Sequence, residues 1–209
     1  MMKVPGNSDR KPASRRQNRR DQIVAAAEEL LRTRGLTAVT TRQVAAHVGC
    51  SEAAIYVHFN SRLALLLAVL GECLPDMLGP FRTLSKSVGQ NTPEENLLTA
   101  AKGMMAFQSR VIPMIAGLFA EREVLNGYRD SLLDDDKGPH RAIATIARYL
   151  QAEQELGRVA REIDISTAAS LLVSAVFFRS FTQQFFDAPA TSGNHRYLRQ
   201  IVAAVLRPS

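Results

Sequence analysis

The 209-residue chain is 46% apolar and 22% charged, with a formal charge of +6, the proportions of a soluble globular protein with room for a head of about 50 residues on a larger body. No uncharged apolar stretch approaches the ~20 residues that span a bilayer, the longest running from Ala168 to Phe178, and no apolar segment follows the basic N-terminus as in a secretion signal; the protein is expected to be cytoplasmic, without a membrane partner. The charge is uneven, with 11 Lys/Arg against 5 Asp/Glu in residues 1–62 and 15 of each in the rest, the footprint of a nucleic-acid-binding head, because phosphate neutralisation supplies most non-specific affinity.

Residues 1–14 mix Pro, Gly, Asn, Ser and charge without apolar periodicity and read as a disordered arm. Ile23, Ala26, Ala27, Leu30 and Leu31 recur on one helical face; the spacing predicts a helix over 17–34, closed by Gly35 as a left-handed cap with Leu36 against Leu31. Thr40 and Gln43 have the spacing of a capping box and open a short helix from Thr41 to Val48. Gly49 supplies a turn, and Ser51 caps a second short helix through His58, anchored inward by Ile55 and Phe59. Two short helices around a glycine turn make a helix-turn-helix. Ser61 caps a longer helix with Leu63, Leu66, Leu67, Leu70 and Leu74 in one stripe, which Pro75 and Pro80 kink or end.

Thr92, Pro93 and Glu95 open another helix, with Leu97, Leu98, Ala101, Met104 and Met105 inward, closing at Gln108. Further helices are predicted over about 111–126, 139–156, 166–186 and 194–207. No strand signal and no tandem repeat survive, so the expected fold is all-α with about nine helices: an arm over 1–14, a three-helix helix-turn-helix domain over 15–62 and a helical body over 63–209. Cys50 and Cys73 match no zinc or redox spacing, and His47 beside Cys50 makes two ligands at most; no metal and no cofactor are expected.

In a helix-turn-helix the second helix enters the major groove with its N-terminal residues at the base edges, here Ser51, Glu52, Ala53 and Ala54. Glu52 can accept from a cytosine amino group, and the alanine methyls can touch thymine methyls. Arg42 is the candidate for a bidentate guanine contact and Thr41 for a phosphate. Tyr56, His58 and Arg62 carry donors for flanking phosphate oxygens, although Tyr56 and His58 read equally well as partly buried packing residues. Arg15, Arg16, Arg19 and Arg20 can follow the DNA backbone or enter the minor groove, or form a solvated helix start.

The segment TTRQVAAHVGCSEAAIYVHFNSRLALLLAVL, residues 40–70, resembles the tetracycline-repressor (TetR) family of regulators. The likeness lies in the Thr40-Thr41-Arg42 helix start, Val44-Ala45, the Val48-Gly49 turn, Ile55-Tyr56 followed by His58-Phe59, and Arg62 with Leu65 and Leu66. Helix one, ending at Gly35-Leu36, is similar too, so the resemblance covers about 17–72; beyond it only helical pattern and length agree. It implies double-stranded DNA as partner, with Thr41 and Arg42 at contacting positions, Glu52 to Ala54 facing bases, and Tyr56, His58 and Arg62 on phosphates. The common family pattern has Lys where this chain has Arg62. Glu52 departs from the pattern, an acid that costs affinity unless a base amino group donates to it.

The body carries no motif. The helix over 166–186 is apolar nearly all round from Ala168 to Phe178 and must be covered on several sides, and the last helix carries Tyr197, Leu198, Ile201, Val202 and Val205 on one side. With Leu172 and Ala175, the residues Leu198, Ile201, Val202 and Val205 are candidates for a four-helix homodimer interface, as the resemblance implies, or for monomer core. Met104, Met105, Phe107, Met114, Phe119, Phe177, Phe178 and Phe181 are candidate walls of an apolar small-molecule cavity, or again plain core. Arg110, Arg122 and Arg179 are candidate anion partners.

By resemblance, effector binding moves the helix from Arg62 to about Leu74, changes the separation of the two recognition helices, and releases a palindromic operator from a repressor. A rival reading keeps the head but makes the body the docking surface of a DNA-organising or cell-cycle factor, marked by an exposed apolar patch rather than a cavity. No G-x-S-x-G, phosphate loop, HExxH or carboxylate pair occurs, and His140 and His195 have no recognisable partner; catalysis is not expected.

Overall fold

The computed structural model describes residues 12–72, 74–134, 138–188 and 193–208; among them the chain is all-α, with no strand. Ten α-helices follow one another: α1 (Pro12–Arg34), α2 (Thr41–Val48), α3 (Glu52–Tyr56), α4 (Arg62–Glu72), α5 (Leu74–Lys86), α6 (Pro93–Ala116), α7 (Arg122–Asp134), α8 (Pro139–Glu155), α9 (Ile165–Phe185) and α10 (Asn194–Val205). The chain divides into two compact units between Val69 and Leu70, inside α4.

Three elements differ from the sequence expectation. Helix α1 starts at Pro12, so residues 12–14, expected in the arm, are helical, while residues 1–11 and Cys73 lie outside the described residues. Pro75 starts a helix instead of ending one: it falls in the first turn of α5, where its missing N–H has no helical partner to lose. Helix α6 continues past Gln108, carries Pro113 inside it, and tightens into the 3-10 turn Gly117–Ala120 before α7. The single helix expected over 111–126 is therefore the end of one helix, a 3-10 turn and the start of another.

In the head, Ile23, Ala26, Ala27, Leu30 and Leu31 of α1 are all buried, together with Leu36, Val39, Val44, Ala45, Ile55, Phe59, Leu65 and Leu66. The Gly35 N–H donates to the Leu31 carbonyl at 3.1 Å. Its backbone sits at φ 79°, ψ 177°, a region outside the left-handed helical well and open in practice only to glycine.

In the body, α6 and α9 pack on each other, α5 and α10 flank α6, and α8 packs on α5 and α9. Leu97, Ala101, Met104, Ile146, Leu150, Leu172, Val176, Leu198 and Val202 form the core between them. By length and composition, Pro93–Ala120 and α9 are apolar enough to cross a membrane; here they are the two central helices of a bundle.

A buried polar cluster closes one end. Glu153 is fully buried, accepts from the Gly89 N–H at 3.2 Å and pairs with Arg158 Nε at 3.2 Å. Asn96 Nδ2 donates to the Tyr149 hydroxyl at 2.9 Å and to the Gln90 carbonyl at 2.8 Å. Together these bonds tie the loop between α5 and α6 to the end of α8. Burial pushes the Tyr149 phenol up to about 12, against the opposing effect of the Asn96 hydrogen bond. Above pH ~10 an unfolded tyrosine ionises while this one keeps its proton, so stability falls as pH rises from about 10 to 12, by up to about 2–3 kcal/mol. Urea melts at pH 9 and pH 11 check this: Tyr149→Phe is expected to remove that part of the alkaline loss.

Candidate DNA-binding site and apolar cavity

Local chemistry sets the reading head. The Thr40 hydroxyl accepts from the Gln43 N–H at 3.2 Å and starts α2, Gly49 turns the chain in the left-handed conformation (φ 73°, ψ 41°), and the Ser51 hydroxyl accepts from the Ala54 N–H at 3.3 Å to start α3. With Ile55 wholly buried, Ser51, Glu52 and Ala53 are presented outward and Ala54 is half-buried. Arg42 is exposed at the start of α2, and Arg16 and Arg19 are exposed on α1. Tyr56 is 51% exposed, which favours a surface role over packing, whereas His58 is half-buried.

Two of the side chains expected at phosphates, Thr41 and Arg62, make hydrogen bonds within the head. Thr41 is only 7% exposed, and its hydroxyl donates to the Glu52 carboxylate. That bond ties the start of α2 to the start of α3 and draws on the acid expected to face bases. The Arg62 guanidinium donates through Nε to the Val39 carbonyl at 2.6 Å and through Nη2 to the Leu36 carbonyl at 2.8 Å. It clamps the 3-10 turn Leu36–Ala38 to the start of α4, which is work for a planar fork and not for the lysine of the common pattern. Arg20 likewise lies over the Phe59 ring, 5.3 Å from its centroid. His47 faces Glu29 at 3.2 Å, and no group of three metal-capable side chains exists among the described residues.

In the body, a cavity of about 390 Å³ lies among α6, α7, α8 and α9. Of the expected walls, Met104, Phe107 and Phe177 line it, joined by Gln108, Val111, Ile112, Ile115, Tyr128, Leu132, Gly138, Ala142, Ile143, Val173 and Ser174. The other five do not. Met105 and Met114 are buried outside the lining, and Phe119, Phe178 and Phe181 are 76%, 64% and 42% exposed. On α9 the reason is helical rotation: each residue turns about 100° from the last, so Phe177 and Phe178 serve different faces. A smaller hollow of about 240 Å³ is lined by Gln90, Asn91 and Asn96 together with Leu84 and Ala100. Arg179 is engaged on Asn194 Oδ1 at 3.1 Å and over the Tyr197 ring.

The expected dimer residues also need correcting. Leu172, Leu198, Val202 and Val205 are at most 7% exposed and belong to the monomer core, while Ala175 and Ile201 are half-buried. The face that α9 leaves open is another one, the apolar Leu171, Phe178, Phe181 and Phe185 with Ser174, which also borders the cavity, among them; Leu171, Phe178 and Phe185 are 55%, 64% and 69% exposed. Alternating steps of three and four residues are the pattern of a helix-pairing seam. The spacing was present in the sequence; the all-round apolarity of α9 hid which of its stripes faced out.

Residues 23–69 match the family model of bacterial regulatory proteins of the tetR family. Over 156 residues the chain is 31% identical to the nucleoid occlusion factor SlmA of Alteromonas mediterranea, covering 72% of this chain and 71% of that one. The chain belongs to the TetR family. It is a DNA-binding transcriptional regulator with a helix-turn-helix head and a helical C-terminal unit. Among solved structures, a TetR-family transcriptional regulator of Mesorhizobium loti superposes with a TM-score of 0.75 at 19% identity, covering 92% of this chain and 96% of that one. SmeT, the repressor of the Stenotrophomonas maltophilia multidrug efflux pump SmeDEF, does so with a TM-score of 0.64 at 20% identity, covering 91% and 94%. At these identities the likeness is one of TetR fold.

Proposed function

We propose that this protein is a cytoplasmic, ligand-responsive repressor that binds a palindromic operator as a homodimer and releases it when a small, largely apolar molecule occupies the cavity beside α6 and α9. The observation that carries the reading is that cavity, about 390 Å³ with an almost wholly apolar wall, in the same chain as a TetR helix-turn-helix. Ser51, Glu52, Ala53 and Ala54 would face base edges, Arg42 a guanine, and Tyr56, His58, Arg16 and Arg19 phosphates. The exposed α9 seam would pair with its copy, and effector binding would act through α4 on the spacing of the two recognition helices. Such coupling requires the effector to bind the two states with different affinity, typically by about 1–3 kcal/mol.

The test is selection of genomic fragments by the purified protein, then shift assays at stated salt with candidate metabolites. A palindromic site released by a small molecule supports the reading; binding that is salt-sensitive without sequence preference counts against it. Arg42→Ala is expected to cost about 1–3 kcal/mol and relax specificity at one base pair, whereas Arg16→Ala weakens all sequences alike and lowers the salt slope by about 1. If both variants behave alike in competition shift assays, the division of roles is wrong.

A second reading is favoured by the SlmA likeness: a DNA-organising factor whose body binds a protein partner. It requires many genomic sites and no release by small molecules, which the same selection reads out.

A further inference from the structure

We propose that the effector is a neutral, mainly apolar molecule carrying one hydrogen-bond donor, an O–H or N–H group received by the side-chain oxygen of Gln108. The proposal rests on the reading of the cavity as the effector site and adds the chemistry that the site selects.

Charge comes first. None of the described residues lining the cavity is Lys, Arg, His, Asp or Glu. A carboxylate, phosphate or ammonium placed there would lose its water without gaining a counter-ion, a cost that ordinary packing does not offset. The described lining thus offers an ionised ligand no counter-ion.

The polar groups narrow the class further. Only Gln108, Tyr128 and Ser174 interrupt an otherwise apolar wall among the described residues. Gln108 lies on α6 one turn from both Met104 and Ile112, on the stripe that faces the cavity. Its Oε1 is buried without a hydrogen-bond partner among the described residues, and a buried acceptor left so costs free energy until something donates to it. An amide oxygen only accepts, so the group that completes Oε1 as it stands must donate. An ether or alkane of the same shape leaves Oε1 orphaned. The volume is at the small end of ligand sites, and Phe107, Phe177 and Tyr128 supply aromatic walls, which suits a compact substituted ring.

Three matched probes test this by calorimetry on the full-length protein: 4-tert-butylphenol, its methyl ether 4-tert-butylanisole, and 4-tert-butylbenzoate. The phenol is expected to bind about five-fold or more tightly than the ether, the scale of one neutral hydrogen bond, and the benzoate more weakly than either. In Gln108→Leu, which removes an unpaired polar atom and so leaves the fold intact, the preference for phenol over ether should vanish while ether binding persists. Ile143→Trp, which fills the cavity, should abolish binding of all three. Equal binding of phenol and ether to the native protein, a preference that survives Gln108→Leu, or tightest binding of the benzoate would each overturn the donor proposal and leave the cavity as an effector site. Failure of all three probes to bind, or binding unaffected by Ile143→Trp, would overturn the effector-site reading along with it.

Discussion

The double variant Leu171→Glu/Phe178→Glu is expected to be a folded monomer whose operator affinity is about 10²–10⁴-fold below that of the native protein, the range lost when two linked binding modules act singly. Both side chains are more than half exposed in the single chain, so the substitutions cost the monomer little. In a two-fold pairing of α9 with its copy the same residues meet across the axis, and four carboxylates would be desolvated against one another. Leu172→Glu, one position along the helix, should behave in the opposite way. Leu172 is fully buried in the core, so a charge there should unfold the body and not merely split the dimer. Sedimentation equilibrium with circular dichroism separates the two outcomes. A double variant that stays dimeric would show that α9 pairs through another face.

Arg62→Ala is expected to destabilise the head by about 3 kcal/mol, since it removes two charge-assisted hydrogen bonds and strands the carbonyls of Val39 and Leu36. Arg62→Lys should recover little of this, because an ammonium on a flexible stem does not span two carbonyls as a guanidinium fork does. Hydrogen exchange reads the effect locally: amides between residues 36 and 62 should exchange faster while those of the body keep their protection. A pure phosphate contact predicts the reverse, unchanged exchange with uniformly weaker DNA binding and a lower salt slope. That second pattern would return Arg62 to the DNA surface.

Much of the fold could be read in advance because its signals are local. Thr40, Gly49 and Ser51 each act within a few residues of themselves, on one N–H or one positive φ, and so the helix-turn-helix was legible almost to the residue. The capping box of Thr92 and Glu95 and the terminal helices α8, α9 and α10 were legible for the same reason. Proline misled at position 75, since the same ring that stops a helix from within is welcome in the first turn of a new one.

The site was legible only in part. Exposure of Arg42 follows from helical periodicity around Val44 and Ala45, and that of Ser51 to Ala53 from the inward anchor Ile55. The inward turn of Thr41 to Glu52, and the engagement of Arg62 by two carbonyls more than twenty residues upstream, depend on partners that no periodicity encodes. In the body, three of the eight candidate wall residues line the cavity, and four of the six candidate dimer residues are buried in the single chain while a neighbouring stripe of α9 is exposed.

The sequence by itself determined the helical class, the reading head and its family, and the richness of the body in apolar side chains, because caps, turns and amphipathic period are written in neighbours along the chain. Only the tertiary structure decided which apolar side chains became core, which a cavity wall and which an open seam. These residues are chemically alike, and what separates them is the set of helices packed against each, a property of contacts between segments distant in sequence.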